Sequence, residues 1–251
     1  MRYRDAFSDL LLGGRCVGCA APGRPLCPGC EEALPVRAAP AWPTPVPAGL
    51  VTPWAAASYD GVPRALVLAL KERRVLPLAR PLARLLAQSV AAATAGLTGP
   101  VVLVPVPSRS ASVRARGHDP TATVTRLAAA TLRAQGADVA AYRLLRSRPG
   151  VLDQSGLGAA ARAANLAGSM ACRAGVLRGM GRRLPRARFV VCDDVLTTGS
   201  TAREAQRALE SVGLVVAAVA TVAATRRRSG PAAGMHSETS DPCLSPHPAT
   251  D

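Results

Sequence analysis

Two acids stand side by side where an apolar run ends. Phe189-Val190-Val191-Cys192 leads into Asp193-Asp194, and Val195-Leu196-Thr197-Thr198-Gly199-Ser200-Thr201 follows at once. The two halves of this stretch suit opposite ends of a sugar phosphate. Carboxylates repel phosphate but hold vicinal ribose hydroxyls, directly or through Mg2+. A turn that opens a helix favours the anion, because its unpaired N–H donors and the helix dipole both point at it. Gly199 allows a ligand close to the backbone, and the Thr and Ser hydroxyls add donors. In an open parallel sheet, ligands collect outside the carboxyl ends of the strands, where this segment would lie. The plainer use of the same residues is a helix cap made by Asp194 or Thr198, with Asp193 in solvent. The apolar strand before the acids and the TTGST after them favour a binding site.

A second constellation opens the chain. RCVGCAAPGRPLCPGC, residues 15–30, holds two CxxC pairs, Cys16/Cys19 and Cys27/Cys30, seven residues apart. Each pair places two thiolates on one turn, and two such turns close a tetrahedral Zn2+ site. With all four positions taken by cysteine, the ion would be structural and would help a core-poor segment to fold. Rubredoxin-type iron uses the same spacing and stays open as an alternative. Cys172, Cys192 and Cys243 are isolated. Cys192 reads as a small buried hydrophobe. The N-terminus lacks a signal-peptide pattern, so a disulfide framework is not expected and the chain is expected to be cytoplasmic.

The elements that must position these groups follow from the hydrophobic pattern. Residues 35–54 are rich in proline and predict a loop or linker. AAASYDG, 55–61, predicts a short strand ending in a turn. Two helical patterns run from Val62 to Ala93, broken near Pro77–Pro81, and Leu82, Leu85 and Leu86 form a core face. VVLVPVP from Val101 predicts a buried strand, and Val124, Leu127, Thr131 and Leu132 give a helix face within 120–135. VAAYRLL (139–145) and RFVVCDDV (188–195) predict strands, 200–213 a helix, and 214–224 a further strand. Strand–helix alternation of this kind predicts an α/β fold, a mainly parallel sheet with helices on both faces. From Arg226 to Asp251 the sequence loses periodicity and predicts a disordered tail. Lys71 reads as a solvated helix residue.

The chain of 251 residues is 49% hydrophobic but only 3% aromatic, so its core is built from Ala, Leu and Val. That length accommodates one α/β domain with a small accessory module. No run reaches the roughly 20 apolar residues of a membrane span, so no membrane insertion is expected. The formal charge of +15 raises nucleic acid or another polyanion as a partner. One lysine stands against thirty arginines, spread along the chain, and a polyanionic small substrate explains that charge equally well.

The 189–201 stretch resembles the phosphoribosyl pyrophosphate (PRPP) motif of type I phosphoribosyltransferases. Further segments narrow the resemblance to the competence-associated ComF family: the cysteine module, ALKERRVLPLARPLARLLA from Ala69, VPVPSRSASVRARGHDP from Val104, and DQSGLGAAARAANLAGSM from Asp153. Together they cover most of residues 8–225 in order. The resemblance implies a four-cysteine zinc module over 1–34 and a type I phosphoribosyltransferase domain over 55–225. It implies that Asp193 and Asp194 are catalytic and that Val195 to Thr201 hold the phosphate of PRPP, with Mg2+ accompanying the ligand. It further implies that Val106, Pro107 and Ser108 receive pyrophosphate, with Arg114, Arg116 and Gly117 on a cationic flap. A guanidinium suits such oxygens. Gln154, Arg162 and Asn165 match a hood or acceptor pattern.

Two positions depart from the family pattern. His118 and Asp119 stand where Phe-Asn is common, which argues against a diphosphate contact by Asp119. Thr197 stands where 6-oxopurine salvage enzymes carry an Asp, which disfavours that chemistry. A binding protein built on the same fold is the rival reading. It would sense nucleotide, or dock DNA or a helicase-like partner through the zinc module.

Overall fold

A computed structural model describes residues 14–108, 119–148, 168–184 and 186–225. Arg114, Arg116, Gly117, Gln154, Arg162 and Asn165 lie outside the described residues, as do His118, Cys243 and the segment from Arg226 onward.

The chain is α/β, with a six-stranded, mostly parallel sheet. A short helix α1 (Pro28–Glu32) closes the cysteine segment. Strand β1 (Ala39–Pro40) pairs antiparallel with β2 (Pro53–Ser58). Helices α2 (Gly61–Lys71) and α3 (Ala79–Ala93) follow, then β3 (Val101–Pro105), α4 (Pro120–Ala134) and β4 (Val139–Ala141). A separate antiparallel pair, β5 (Leu145–Ser147) and β6 (Met170–Cys172), precedes α5 (Ala174–Gly181). The chain then forms β7 (Arg188–Leu196), α6 (Ser200–Glu210) and β8 (Val216–Ala224). The sheet order is β1-β2-β8-β7-β3-β4, parallel throughout except for β1.

The central strands are apolar on both faces, as strands covered by helices must be. Along β7, Val190 and Cys192 join the core beneath α3 and α4, while Phe189 and Val191 join the core beneath α6. Alternation thus sends neighbouring residues into two different cores. The cysteine segment has no core of its own. Cys16, Leu26 and Leu34 pack into the same cluster as Leu66, Leu70, Leu82 and Leu86, and Glu31 of α1 pairs with Arg84 of α3.

Three expectations are adjusted. The break between the helical patterns falls earlier than Pro77–Pro81. Helix α2 stops at Lys71, a 3-10 turn covers Leu76–Leu78, and Pro81 sits in the first turn of α3, where a missing N–H costs no helical bond. VAAYRLL is not one strand. It divides after Ala141, and Leu144 and Leu145, both nearly fully buried, turn away into the second core. The proline-rich stretch over 35–54 is not a bare linker. It supplies β1 and the start of β2, and its end is tied to α6: Arg203 Nε donates to Ala48 O (2.9 Å), Gln206 Nε2 to Gly49 O (2.9 Å), and Val51 N to Gln206 Oε1 (3.1 Å).

Helix α6 is also clamped from its other side. Glu204, 4% exposed, accepts from Met170 N at 2.9 Å and from Arg207 Nε at 2.6 Å. Burial disfavours its charge, but these donors outweigh burial and hold the carboxyl below its ordinary range. The helix that opens behind the TTGST loop is therefore fixed to the proline-rich belt on one side and to β6 on the other.

Candidate functional site

Strand β7 delivers both acids to the carboxyl end of the sheet. Asp193 sits in register with Thr221 and Leu196 with Ala224, so the β7 and β8 ends stay paired to the rim. The backbone N–H of Asp194 donates to Asp193 Oδ1 at 2.8 Å, which fixes the Asp193 carboxylate over the backbone of its neighbour. Asp194 is 9% exposed and pairs through Oδ2 with the ammonium of Lys71.

The chain's sole lysine is therefore not the solvated helix residue that the sequence suggests. It is the last residue of α2, where the helix dipole favours a cation, and it neutralises one member of the acid pair. Burial alone would lower the Lys71 pKa, but Asp194 and then Asp193 raise it. The acids separate in the same field. Burial, then the neighbouring Asp194 charge, pushes Asp193 well above the usual carboxylate range. Burial also disfavours ionised Asp194, yet Lys71 outweighs it and brings that carboxyl below its ordinary value. Like charges in contact split in this way, with one acid keeping its proton to higher pH.

The turn after the acids has the predicted form. Thr197 is exposed and Gly199 is the residue before α6, with φ +74°. A side chain there would be strained, and its Cβ would approach Pro43 Cγ at 3.0 Å and Leu50 Cδ2 at 3.2 Å. The proline-rich belt thus presses on the one residue of the loop that has no side chain. Gly199, at the N-cap position of α6, has no side chain to cap it, and among the described residues Asp194 accepts from no amide of the helix, so the plainer reading survives only for Thr198. Thr198 Oγ1 donates to Ser200 Oγ at 3.1 Å and accepts a long bond from Ser200 N at 3.4 Å. Among the described residues, the amides of Thr198 and Gly199 donate to no acceptor.

Opposite the acids, β3 leads into Val106, Pro107 and Ser108. Val106 N bonds to Cys192 O at 2.8 Å, anchoring this loop to β7. Ser108 Oγ donates to Asp119 Oδ1 at 2.9 Å. Asp119 caps α4 by accepting from Ala122 N at 3.2 Å, and it pairs with Arg143 at 2.9 Å. Its carboxylate therefore ties the loop, the head of α4 and Arg143 together. One open cavity of about 380 Å³ is lined by Val106, Pro107, Ser108, Asp193, Asp194, Val195, Thr197 and Thr201, together with Tyr59, Lys71 and Thr121. Two stretches predicted separately, 106–108 and 193–201, thus face one another. Leu196 is buried beneath them, in the core.

Tyr59, Lys71 and Thr121 are the lining residues that sequence reasoning missed. For Lys71 the one signal was that it is the chain's sole lysine, which does not say where it points. For Tyr59 and Thr121, only their places after β2 and in the first turn of α4 mark them.

The four cysteines Cys16, Cys19, Cys27 and Cys30 converge, with their sulfurs all within 4.8 Å of one another. A tetrahedral Zn–S distance of about 2.3 Å requires sulfurs about 3.8 Å apart, and Cys19 Sγ and Cys27 Sγ lie at 3.5 Å as free thiols. The surroundings also suit a metal. Cys27 N–H donates to Cys16 Sγ at 3.4 Å, and a Cβ on Gly18 would meet Cys30 Sγ at 2.8 Å and Val62 Cγ2 at 3.0 Å. Burial opposes ionisation of Cys16, but the amides of Cys27, Cys19 and Gly18 outweigh it and lower the thiol to about 6. Cys30 is pushed up to about 12, first by its contact with Cys27. Such a set ionises fully only around a cation, so the site fits a structural Zn2+.

No family model matches the chain, and no curated protein matches it. Among the described residues, no helix is long and apolar enough to cross a membrane.

Two outcomes follow from this geometry. The raised pKa of Asp193 means that its ionisation costs folding stability. That cost grows as pH rises above the unfolded-state value and is complete above the folded-state value. Asp193→Asn is therefore expected to melt higher than the native chain at neutral pH, by about 2–4 °C for each kcal/mol gained. That advantage should shrink as pH falls. Asp194→Asn strands Lys71 and should melt lower. Thermal scans across pH check both. Gly18→Ala is expected to drive Cys30 out of position, so that the variant retains less zinc after dialysis against a chelator, as measured by elemental analysis.

Proposed function

We propose that this chain is a type I phosphoribosyltransferase-like protein that binds PRPP with Mg2+ and transfers its phosphoribosyl group to a nitrogenous acceptor. One observation carries the reading: the paired acids and the TTGST turn are contiguous in sequence, and both acids, with Thr197 and Thr201 of the turn, line the same cavity as the 106–108 loop. The resemblance to the ComF family adds to it.

In this reading the amides of Thr198 and Gly199, with the hydroxyls of Thr197, Thr198, Ser200 and Thr201, hold the 5′-phosphate at the head of α6. Asp193 and Asp194 face the ribose hydroxyls. Two carboxylates are too few for a resident Mg2+ site, which suits an ion that arrives bound to phosphate. When bound, Mg2+ would offset the negative charge that grows on departing diphosphate. Lys71 keeps Asp194 ionised as an acceptor for the ribose hydroxyls while balancing its charge, so in this reading the acid pair orients the sugar. Ser108, held by Asp119, borders the diphosphate end. Arg114, Arg116 and Gly117 have the flap role implied by the resemblance, and Gln154, Arg162 and Asn165 the hood role. Catalysis then consists of positioning and electrostatics.

The test is release of pyrophosphate from PRPP, dependent on Mg2+ and on a panel of nitrogenous acceptors. Asp193→Asn combined with Asp194→Asn is expected to lower that rate by about 100-fold or more. Retention of the rate in the double variant would contradict the assignment. Tight, salt-sensitive DNA binding, with no PRPP binding, would favour the rival reading.

A further inference from the structure

A second cavity adjoins the acid cleft, with Thr197 lining both. Its volume is about 740 Å³, within the range that encloses small organic ligands. The space exists because one wall is the alanine run of β2, whose side chains stop at Cβ. From the proline-rich belt come Trp42, 47% exposed although it is one of only two tryptophans, and Arg37. The hydroxyls of Ser58 and Thr44 also line it.

The two cavities differ in charge. The cleft beyond Thr197 contains two carboxylates and the Lys71 ammonium, whereas no acid lines this cavity. Among the described residues, Arg37 makes no ion pair or hydrogen bond. An indole surface offers a stacking face to a flat ring. A guanidinium without a counter-charge offers a fork that fits a carboxylate.

We propose that this cavity receives the acceptor of the phosphoribosyl group, and that the acceptor is a flat nitrogenous ring carrying its own acidic group. The assignment rests on the phosphoribosyl-transfer reading above. In the transfer, the acceptor's nitrogen, in the ring or on it, bonds to ribose C1 as the C1–O bond to diphosphate breaks. Diphosphate leaves with the bonding pair, and the proton on nitrogen passes to solvent. Thr197 lines both cavities, so a ring held in one lies beside a sugar phosphate held in the other.

The test uses matched probes, orotate against uracil and anthranilate against aniline, titrated calorimetrically into the full chain. PRPP with Mg2+ is titrated separately. At least one acid is expected to bind about tenfold or more tightly than its neutral partner. Arg37→Gln should erase that preference, and Trp42→Ala should weaken both members of the pair. Both variants should keep the native affinity for PRPP with Mg2+. The proposal is overturned if acid and neutral rings bind alike, or if no ring binds while PRPP with Mg2+ does. If the rings bind as expected but PRPP with Mg2+ does not, the transfer reading fails instead, and the acceptor role falls with it.

Discussion

Two carboxylates in contact at the end of a buried strand cannot both ionise without help, and much of this structure is arranged around supplying it. Lys71 provides the counter-charge for Asp194, and α2 carries Lys71 as its last residue. The far end of α2 rests on the cysteine cluster, where Val62 stands against Gly18 and Cys30. A structural zinc there would fix the start of the helix whose end neutralises the acid pair. The cysteine segment is thus part of the scaffold of the site, and its apolar residues belong to the same core as α2 and α3.

A second constraint acts on the other half of the site. The turn at Gly199 is backed by Pro43, Pro47 and Leu50, and the belt that carries them is tied to α6 through Gln206 and Arg203. The clamp of Glu204 and Arg207 fixes the same helix to Met170. In the proposed reading the loop offers backbone amides to an anion and must not collapse onto them, and both sides of the helix behind it are fastened. Rigid positioning of this kind is what charge-based catalysis requires. The instability of the acid pair is its counterpart, since a group placed for function is not placed for stability.

How much of this was legible in the sequence depended on distance along the chain. The acids, the glycine and the hydroxyls are consecutive, so the strand–turn–helix they form could be read directly, as could the four cysteines in their paired spacing. The strand–helix alternation also followed, because buried parallel strands are continuous apolar runs. Lys71 could not be placed, because its partner lies on an element more than a hundred residues away and nothing local distinguishes it from a surface lysine. The proline-rich stretch read as a linker for the same reason. Its composition denies it regular structure, but its anchors on α6 stand 155 residues further along. VAAYRLL kept one apolar rhythm across two different strands, and only the burial of Leu144 and Leu145 in the second core divides them.

The central claim is that a sugar phosphate lies across the end of β7, with its hydroxyl edge toward Asp193 and Asp194 and its phosphate at the head of α6. A crystal of the protein soaked with ribose 5-phosphate and Mg2+ tests this directly. The account predicts phosphate density against the amides of Thr198 and Gly199 and ribose hydroxyls within hydrogen-bonding distance of the acid pair. An empty cleft under saturating ligand, or a phosphate held elsewhere on the chain, would contradict it.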